Sequence, residues 1–156
     1  MKWPMEFASF LERPVPKFIH LAAWREGQAP FGCRGYGFGQ EPGEDVSWIY
    51  ILRHEWLRLR PSLREGDWLA VLLTSGIDNE SYQVKGPFIR VRPVNKEDLA
   101  CMDRERSLIR ATFPDLLALV NENPADCIAL GVKGEAVYIQ TPGPLAGSLL
   151  QERSSP

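Results

Sequence analysis

Trp48-Ile49-Tyr50-Ile51-Leu52 runs into Arg53-His54-Glu55-Trp56-Leu57-Arg58-Leu59-Arg60-Pro61-Ser62-Leu63-Arg64, and a second apolar run, Trp68 to Thr74, leads to Ser81-Tyr82-Gln83-Val84-Lys85-Gly86. The apolar runs are short and rich in β-branched and aromatic residues, so they read as strands, and Trp68 to Thr74 suits a sheet buried on both faces. Between them, four arginines and a histidine fall within twelve residues, read here as a basic turn closed by Glu65-Gly66-Asp67. Because the chain as a whole is slightly acidic, at −2, this positive charge is local and suits a small anion such as a phosphate.

Working outward, Phe7, Phe10 and Leu11 predict a short helix ending before Pro14, and Phe18 to Trp24 a first strand. A turn at Glu26-Gly27 then pairs that strand with one around Pro30 to Phe38. The glycines of Gly32-Cys33-Arg34-Gly35-Tyr36-Gly37-Phe38-Gly39 lack the spacing of a dinucleotide or phosphate loop, and close backbone packing at a strand end accounts for them. Ser81 to Val94 is long enough for a bent strand, with a bulge or edge at Gly86-Pro87. Asn95 caps a main helix whose Leu99, Met102, Ile109 and Phe113 share one face. Pro114 ends it, a helical piece follows from Asp115 to Val120, and Asp126 to Val132 with Ala136 to Gln140 reads as a closing hairpin turned at Lys133-Gly134. The sum is five to seven mostly hairpin-linked strands with one inserted helix, a small antiparallel barrel with helical decoration in the mainly β (α+β) class.

The chain has 156 residues, 44% hydrophobic and 24% charged, which is one domain with one core. That domain is expected over residues 1–150, with the polar tail Gln151 to Pro156 frayed. No stretch approaches the ~18 apolar residues of a membrane span, and Pro4, Glu6, Glu12 and Arg13 interrupt any secretory h-region. Cys33, Cys101 and Cys127 form no disulfide framework and are expected as buried thiols, so a reducing cytoplasm is the expected location. His20 and His54 have no zinc-type spacing to other ligands, so no metal is expected. The net charge argues against a nucleic-acid surface.

Alternation places Ser81, Gln83 and Lys85 on one face of their strand and Tyr82 and Val84 on the other. Gln83 both donates and accepts, which suits a flavin's pyrimidine edge, and Lys85 suits a phosphate or carbonyl. On the basic turn, Arg58 and Arg60 flank Ser62, two guanidinium forks beside a hydroxyl. Trp24, Trp48, Trp56 and Trp68 are expected in the core, with Trp56 also available for stacking. Gln140-Thr141 lies where it can reach a site at the barrel end.

On Ser81-Tyr82-Gln83-Val84-Lys85-Gly86, on Arg60-Pro61-Ser62-Leu63-Arg64-Glu65-Gly66 and on Gln140-Thr141-Pro142-Gly143-Pro144, the chain resembles the pyridoxamine 5′-phosphate oxidase-like family of flavin-binding split barrels, over roughly Phe18 to Gly147. The resemblance implies a homodimer of six-stranded antiparallel split β-barrels with peripheral helices and FMN at or near the subunit interface. Carried onto this chain, it assigns Arg53, Arg58, Arg60 and Ser62 to the phosphate and Ser81, Gln83 and Lys85 to the ring or ribityl chain. The Arg-x-x-Leu-Leu-Lys and Ser-Arg-Lys strings of true pyridoxamine phosphate oxidases are missing, which argues against that specific activity. The function implied is that of a noncovalent FMN oxidoreductase passing electrons to a small organic acceptor, with no catalytic acid or base assigned. Competing readings are a non-catalytic flavin- or ligand-binding dimeric barrel and a small RNA-binding barrel.

Overall fold

The computed structural model describes residues 3–119 and 122–152. In chain order these form α1 (Met5–Glu12), β1 (Lys17–Ala23), β2 (Phe31–Gly35), β3 (Phe38–Gln40), β4 (Ser47–Leu52), α2 (Arg53–Leu59), β5 (Trp68–Ser75), β6 (Ser81–Pro93), α3 (Lys96–Thr112), β7 (Cys127–Val132), β8 (Ala136–Ile139) and β9 (Leu149–Glu152). Short 3-10 turns lie at Arg60–Ser62, Pro114–Leu119 and Pro124–Asp126. All strand pairings are antiparallel, in the order β2-β1-β5-β6-β7-β4-β3, with β8 added to β6 and β9 to β8.

Only Tyr36-Gly37 separates the two ends of that path, β2 and β3, and both residues bond to Tyr50 of β4: the Tyr36 N–H donates to the Tyr50 carbonyl at 2.8 Å, and the Tyr50 N–H to the Gly37 carbonyl at 3.3 Å. One bent segment therefore serves β1 with its first half and β4 with its second, and the barrel is split there rather than closed by a continuous ladder. Counting that segment once gives the expected six barrel strands; β8 and β9 are extra. Gly35 sits at the crossing, where an added Cβ would lie 2.8 Å from methyl groups of both Ile19 and Ile49. Close packing thus explains the glycine-rich run.

The barrel interior is apolar, built from Ile19, Leu21, Ile49, Ile51, Val71, Leu73, Val84 and Leu130. One end is plugged by α1, whose Phe10 packs on Tyr82 at 5.0 Å between ring centroids, and the other by α2, whose Trp56 meets Phe88 at 5.8 Å. β4 is buried on both faces, because Ile49 and Ile51 face the interior while Trp48 and Tyr50 join Met102 of α3 in a second cluster outside it. α3 starts at the expected cap: the Asn95 side chain accepts from the Asp98 N–H, and the Asp98 carboxylate accepts in return from the Asn95 N–H.

Several expectations are corrected. The segment from Arg53 to Arg64 is not a turn but α2 plus a 3-10 turn, because Trp56, Leu59 and Leu63 recur at helical spacing and all pack on the core. β7 and β8 are not a hairpin. β6 bends at Gly86-Pro87 and pairs its second half with β7 and its first with β8, so Lys133–Glu135 crosses the bend, where the Lys133 carbonyl occupies the place of a Gly86 side chain. Leu99 is exposed on α3, and Asp98 takes the buried position beside it. Trp24 and Trp68 are 66% and 52% exposed, since alternation along β1 and β5 turns them away from Leu21 and Leu69; Trp48 is fully buried as expected. Gln151 and Glu152 pair with β8 rather than fray. Val120, the last residue of the expected second helical piece, and residues 153–156 of the tail lie outside the described residues.

Candidate functional site

β6 presents Gln83 and Lys85 on the outer face of the first half-sheet, opposite Leu72 and Ala70 of β5 and beside Tyr138 and Ala136 of β8. Val84 between them points into the core, as alternation requires. The Lys85 ammonium stands 4.7 Å from the centroid of the Tyr138 ring and has no carboxylate partner among the described residues. The Gln140 amide donates to Gln83 Oε1 at 3.4 Å, and Thr141 Oγ1 accepts from the Ser81 N–H at 3.0 Å, so the segment after β8 does reach this stripe. Ser81 itself is buried, and its hydroxyl is committed to Thr74 Oγ1 at 3.0 Å and the Asn79 carbonyl at 2.8 Å. It orders the β5–β6 turn.

Lys85 lines a hollow of about 280 Å³ with Ala22, Ala23, Trp24, Pro30, Trp68, Leu69 and Ala70. Small side chains form its floor and two exposed indoles its walls, which suits a flat aromatic ring, with one cation to meet an anionic or carbonyl edge. Its volume is close to the ~300 Å³ at which ligand pockets usually begin.

The arginines of α2 diverge. Arg58 lies 5.5 Å over the Phe31 ring and pairs with Glu55 at 3.3 Å. Phe31 lies opposite Ala23 and packs with it against the core, so Arg58 stands on the inward side of β2, away from the outer face that carries Lys85. Arg60 is exposed, and Ser62 half-buried in the 3-10 turn. Arg53 lines a different cavity, of about 560 Å³, with Leu52, His54, Leu57 and three polar residues, Glu122, Asn123 and Asp126. Two carboxylates offset its charge, which makes that cavity a poor cradle for phosphate. The Lys85 hollow is lined by none of Arg53, Arg58, Arg60 and Ser62.

Trp24, Trp68 and Tyr138 were not singled out for the site from the sequence. The signal was present in β1, where Ala22 and Trp24 alternate with Leu21 and Ala23, but aromatic side chains in an apolar run default to the core. Burial pushes the thiols of Cys33 up to about 12 and Cys127 up to about 11, and raises that of Cys101, so all three are protonated at neutral pH and poor nucleophiles. Among the described residues no three His, Cys, Asp or Glu side chains converge as a metal site, and no helix is long and apolar enough to cross a membrane.

No family model and no curated protein matches the chain. Among solved structures, HupZ of Group A Streptococcus is similar with a TM-score of 0.53 at 8% identity, over 93% of this chain and 100% of that one. A pyridoxamine 5′-phosphate oxidase-related, FMN binding protein of Nostoc punctiforme is similar with a TM-score of 0.51 at 9% identity, over 88% of this chain and 82% of that one. At such low identity the likeness is one of fold, and it agrees with the resemblance read from residues 81–86, 60–66 and 140–144: this chain has the pyridoxamine 5′-phosphate oxidase-like split-barrel fold.

Proposed function

We propose that the chain is an FMN-binding split-barrel protein that works as a homodimer. The observation that carries this reading is the hollow walled by Trp24 and Trp68 with Lys85 at its edge, open on an outer sheet face that a second copy would cover. In this reading Lys85 and Gln83 meet the polar edge of the ring, Ser81 and Thr141 hold that strand in place, and the indoles exclude water from the ring faces. For the phosphate, Arg58 exchanges Glu55 for the anion, with Arg60 and Ser62 of the adjoining turn completing the contact. Arg53 belongs to the neighbouring acidic cavity and contributes only field. Bound FMN supplies the hydride and electron chemistry, and a small organic acceptor takes the electrons, in the cytoplasm.

The test is titration of purified protein with FMN, followed by flavin fluorescence, with molar mass by light scattering. Wild type is expected to bind as a dimer, Lys85→Ala and Arg58→Ala at least about tenfold more weakly, since each removes a charge-assisted hydrogen bond. No saturable binding, or unchanged affinity in both variants, refutes the site. Bleaching of the bound flavin by a reduced nicotinamide supports the oxidoreductase, whereas flavin that binds but stays oxidised with every donor leaves a carrier.

A further inference from the structure

Lys17 and Glu105 are 88 residues apart in sequence, yet they share the walls of three cavities, two of which Leu11 of α1 lines as well. The inner of these two, about 190 Å³, is lined by Leu11, Ile19, Phe38 and Leu73, with Gln40 as a further polar group. The outer one, about 600 Å³, opens between the end of α1 and α3, past Arg13, Asp103, Arg104 and Ser107. Leu11, Lys17 and Glu105 line both and mark the neck where this vestibule adjoins a chamber of mixed lining, with four apolar residues and three polar ones.

The neck is built rather than incidental. Lys17 is 7% exposed, and its ammonium donates to the Arg13 carbonyl at 2.7 Å and the Val15 carbonyl at 3.4 Å, with the Phe10 ring centroid 5.7 Å away. Two of its three protons are thereby used. Glu105 accepts the Lys17 backbone N–H at 3.3 Å on Oε2, and Oε1 has no donor among the described residues. Burial lowers the ammonium and raises the carboxyl, each opposed by the charge of the other. One donor and one acceptor thus remain at the neck, with no net charge between them.

We propose that this end of the barrel binds a neutral single-ring cyclic amide or imide, its carbonyl taking the third Lys17 proton, its N–H meeting Glu105 Oε1, and its ring filling the chamber. The size agrees, because a cavity of about 150 Å³ accommodates benzene. A ligand with a net charge gains at one neck group and loses at the other, which selects the neutral amide edge. The site is separate from the proposed flavin contact. Lys17 begins β1 and Ala23 ends it, six residues and roughly 20 Å away.

The test is calorimetric titration of the full chain with uracil and with 2-piperidone, against cyclohexanol and benzoate as a ring without the amide edge and a charged ring. Saturable one-to-one binding of both amides, at least about tenfold tighter than either control, is expected. Lys17→Met and Glu105→Leu should each weaken it tenfold or more, and Leu11→Trp, which narrows the neck without touching a buried polar group, should abolish it. Absence of binding to both amides, equal binding of benzoate, or binding unchanged in Leu11→Trp overturns the proposal. Should Lys17→Met fail to fold, Leu11→Trp and Glu105→Leu decide alone. FMN binding is measured independently, and is expected to survive Leu11→Trp.

Discussion

Replacing Arg92 with Met should cost about 3–5 kcal/mol, a large share of the 5–15 kcal/mol by which domains of this kind are stable. Arg92 lies near the end of β6, and its guanidinium forks onto both oxygens of Asp98, reaches Glu41 as well, and stacks 4.0 Å from the Trp48 ring. The Asp98 side chain is only 3% exposed, so its charge depends on these partners. Burial pushes the Asp98 carboxyl up, but the hydrogen bonds from Arg92 and the Asn95 N–H outweigh it and hold it below the usual carboxylate range. Met keeps the length and contact with Trp48 while stranding the carboxylate. At roughly 2–4 °C per kcal/mol for a domain of this length, the midpoint should fall by on the order of 10 °C. Adding Asp98→Asn removes the stranded charge and keeps an acceptor for the Asn95 N–H, so the double variant should regain about 1–3 kcal/mol.

The pH dependence has a definite sign. In wild type the folded carboxyl titrates below its unfolded value near 4, so its contribution is present above that and is lost as pH falls through the folded value. In Arg92→Met the upward push of burial is no longer opposed by the guanidinium, and acid relieves the unpaired charge. The gap between the two proteins should therefore narrow on acidification. Urea unfolding followed by circular dichroism at several pH values measures all of this. A single-variant cost under about 1 kcal/mol, or a double variant no better than the single, would refute the argument.

Further outcomes follow from the same geometry. Gly35→Ala puts a methyl group against the fully packed Ile19 and Ile49, and should cost about 1–3 kcal/mol in chemical denaturation. Asn95→Ala deletes the cap of α3 and should cost about 1 kcal/mol, whereas Asn95→Ser should lose much less. Cys33 and Cys127 should react with a thiol reagent at pH 7.5 far more slowly in native protein than in urea, as the raised thiols require. The exposed indoles of Trp24 and Trp68 should make protein fluorescence quenchable by iodide in the free chain, and protected once a second copy or a flavin covers that face.

Elements whose burial is written in their own residues were legible. The unbroken apolar run of β4 needs two packed faces and has them, and Asn95 with Asp98 three residues on spells out its cap. The long bent strand was also readable, because Gly86-Pro87 interrupts an otherwise continuous β pattern. What was not legible depends on partners distant in the chain. Lys133-Gly134 looks like a hairpin turn locally, and only the bend in β6 decides that β7 and β8 attach to different halves of it. α2 was masked by charge, since its arginines drew attention from the Trp56, Leu59 and Leu63 spacing. Of the candidate site, the Gln83 and Lys85 face followed from alternation, but the outward turn of Trp24 and Trp68 requires knowing which side of β1 and β5 is inside. The Lys17 and Glu105 neck joins the start of β1 to the middle of α3, a pairing no local pattern encodes.

β6 is one ribbon of 13 residues shared by two half-sheets, flanked by β5 and β8 over its first half and paired with β7 along its second. Its first half carries Lys85 and its second carries Arg90 and Arg92, which grip the Trp48 indole from 5.2 and 4.0 Å. A stiff beam of this kind makes the buried indole a remote gauge. Occupancy at Lys85 should register in the Trp48 resonance on the far side of the fold, and the central amides of β6 should be the last in the chain to exchange with deuterium.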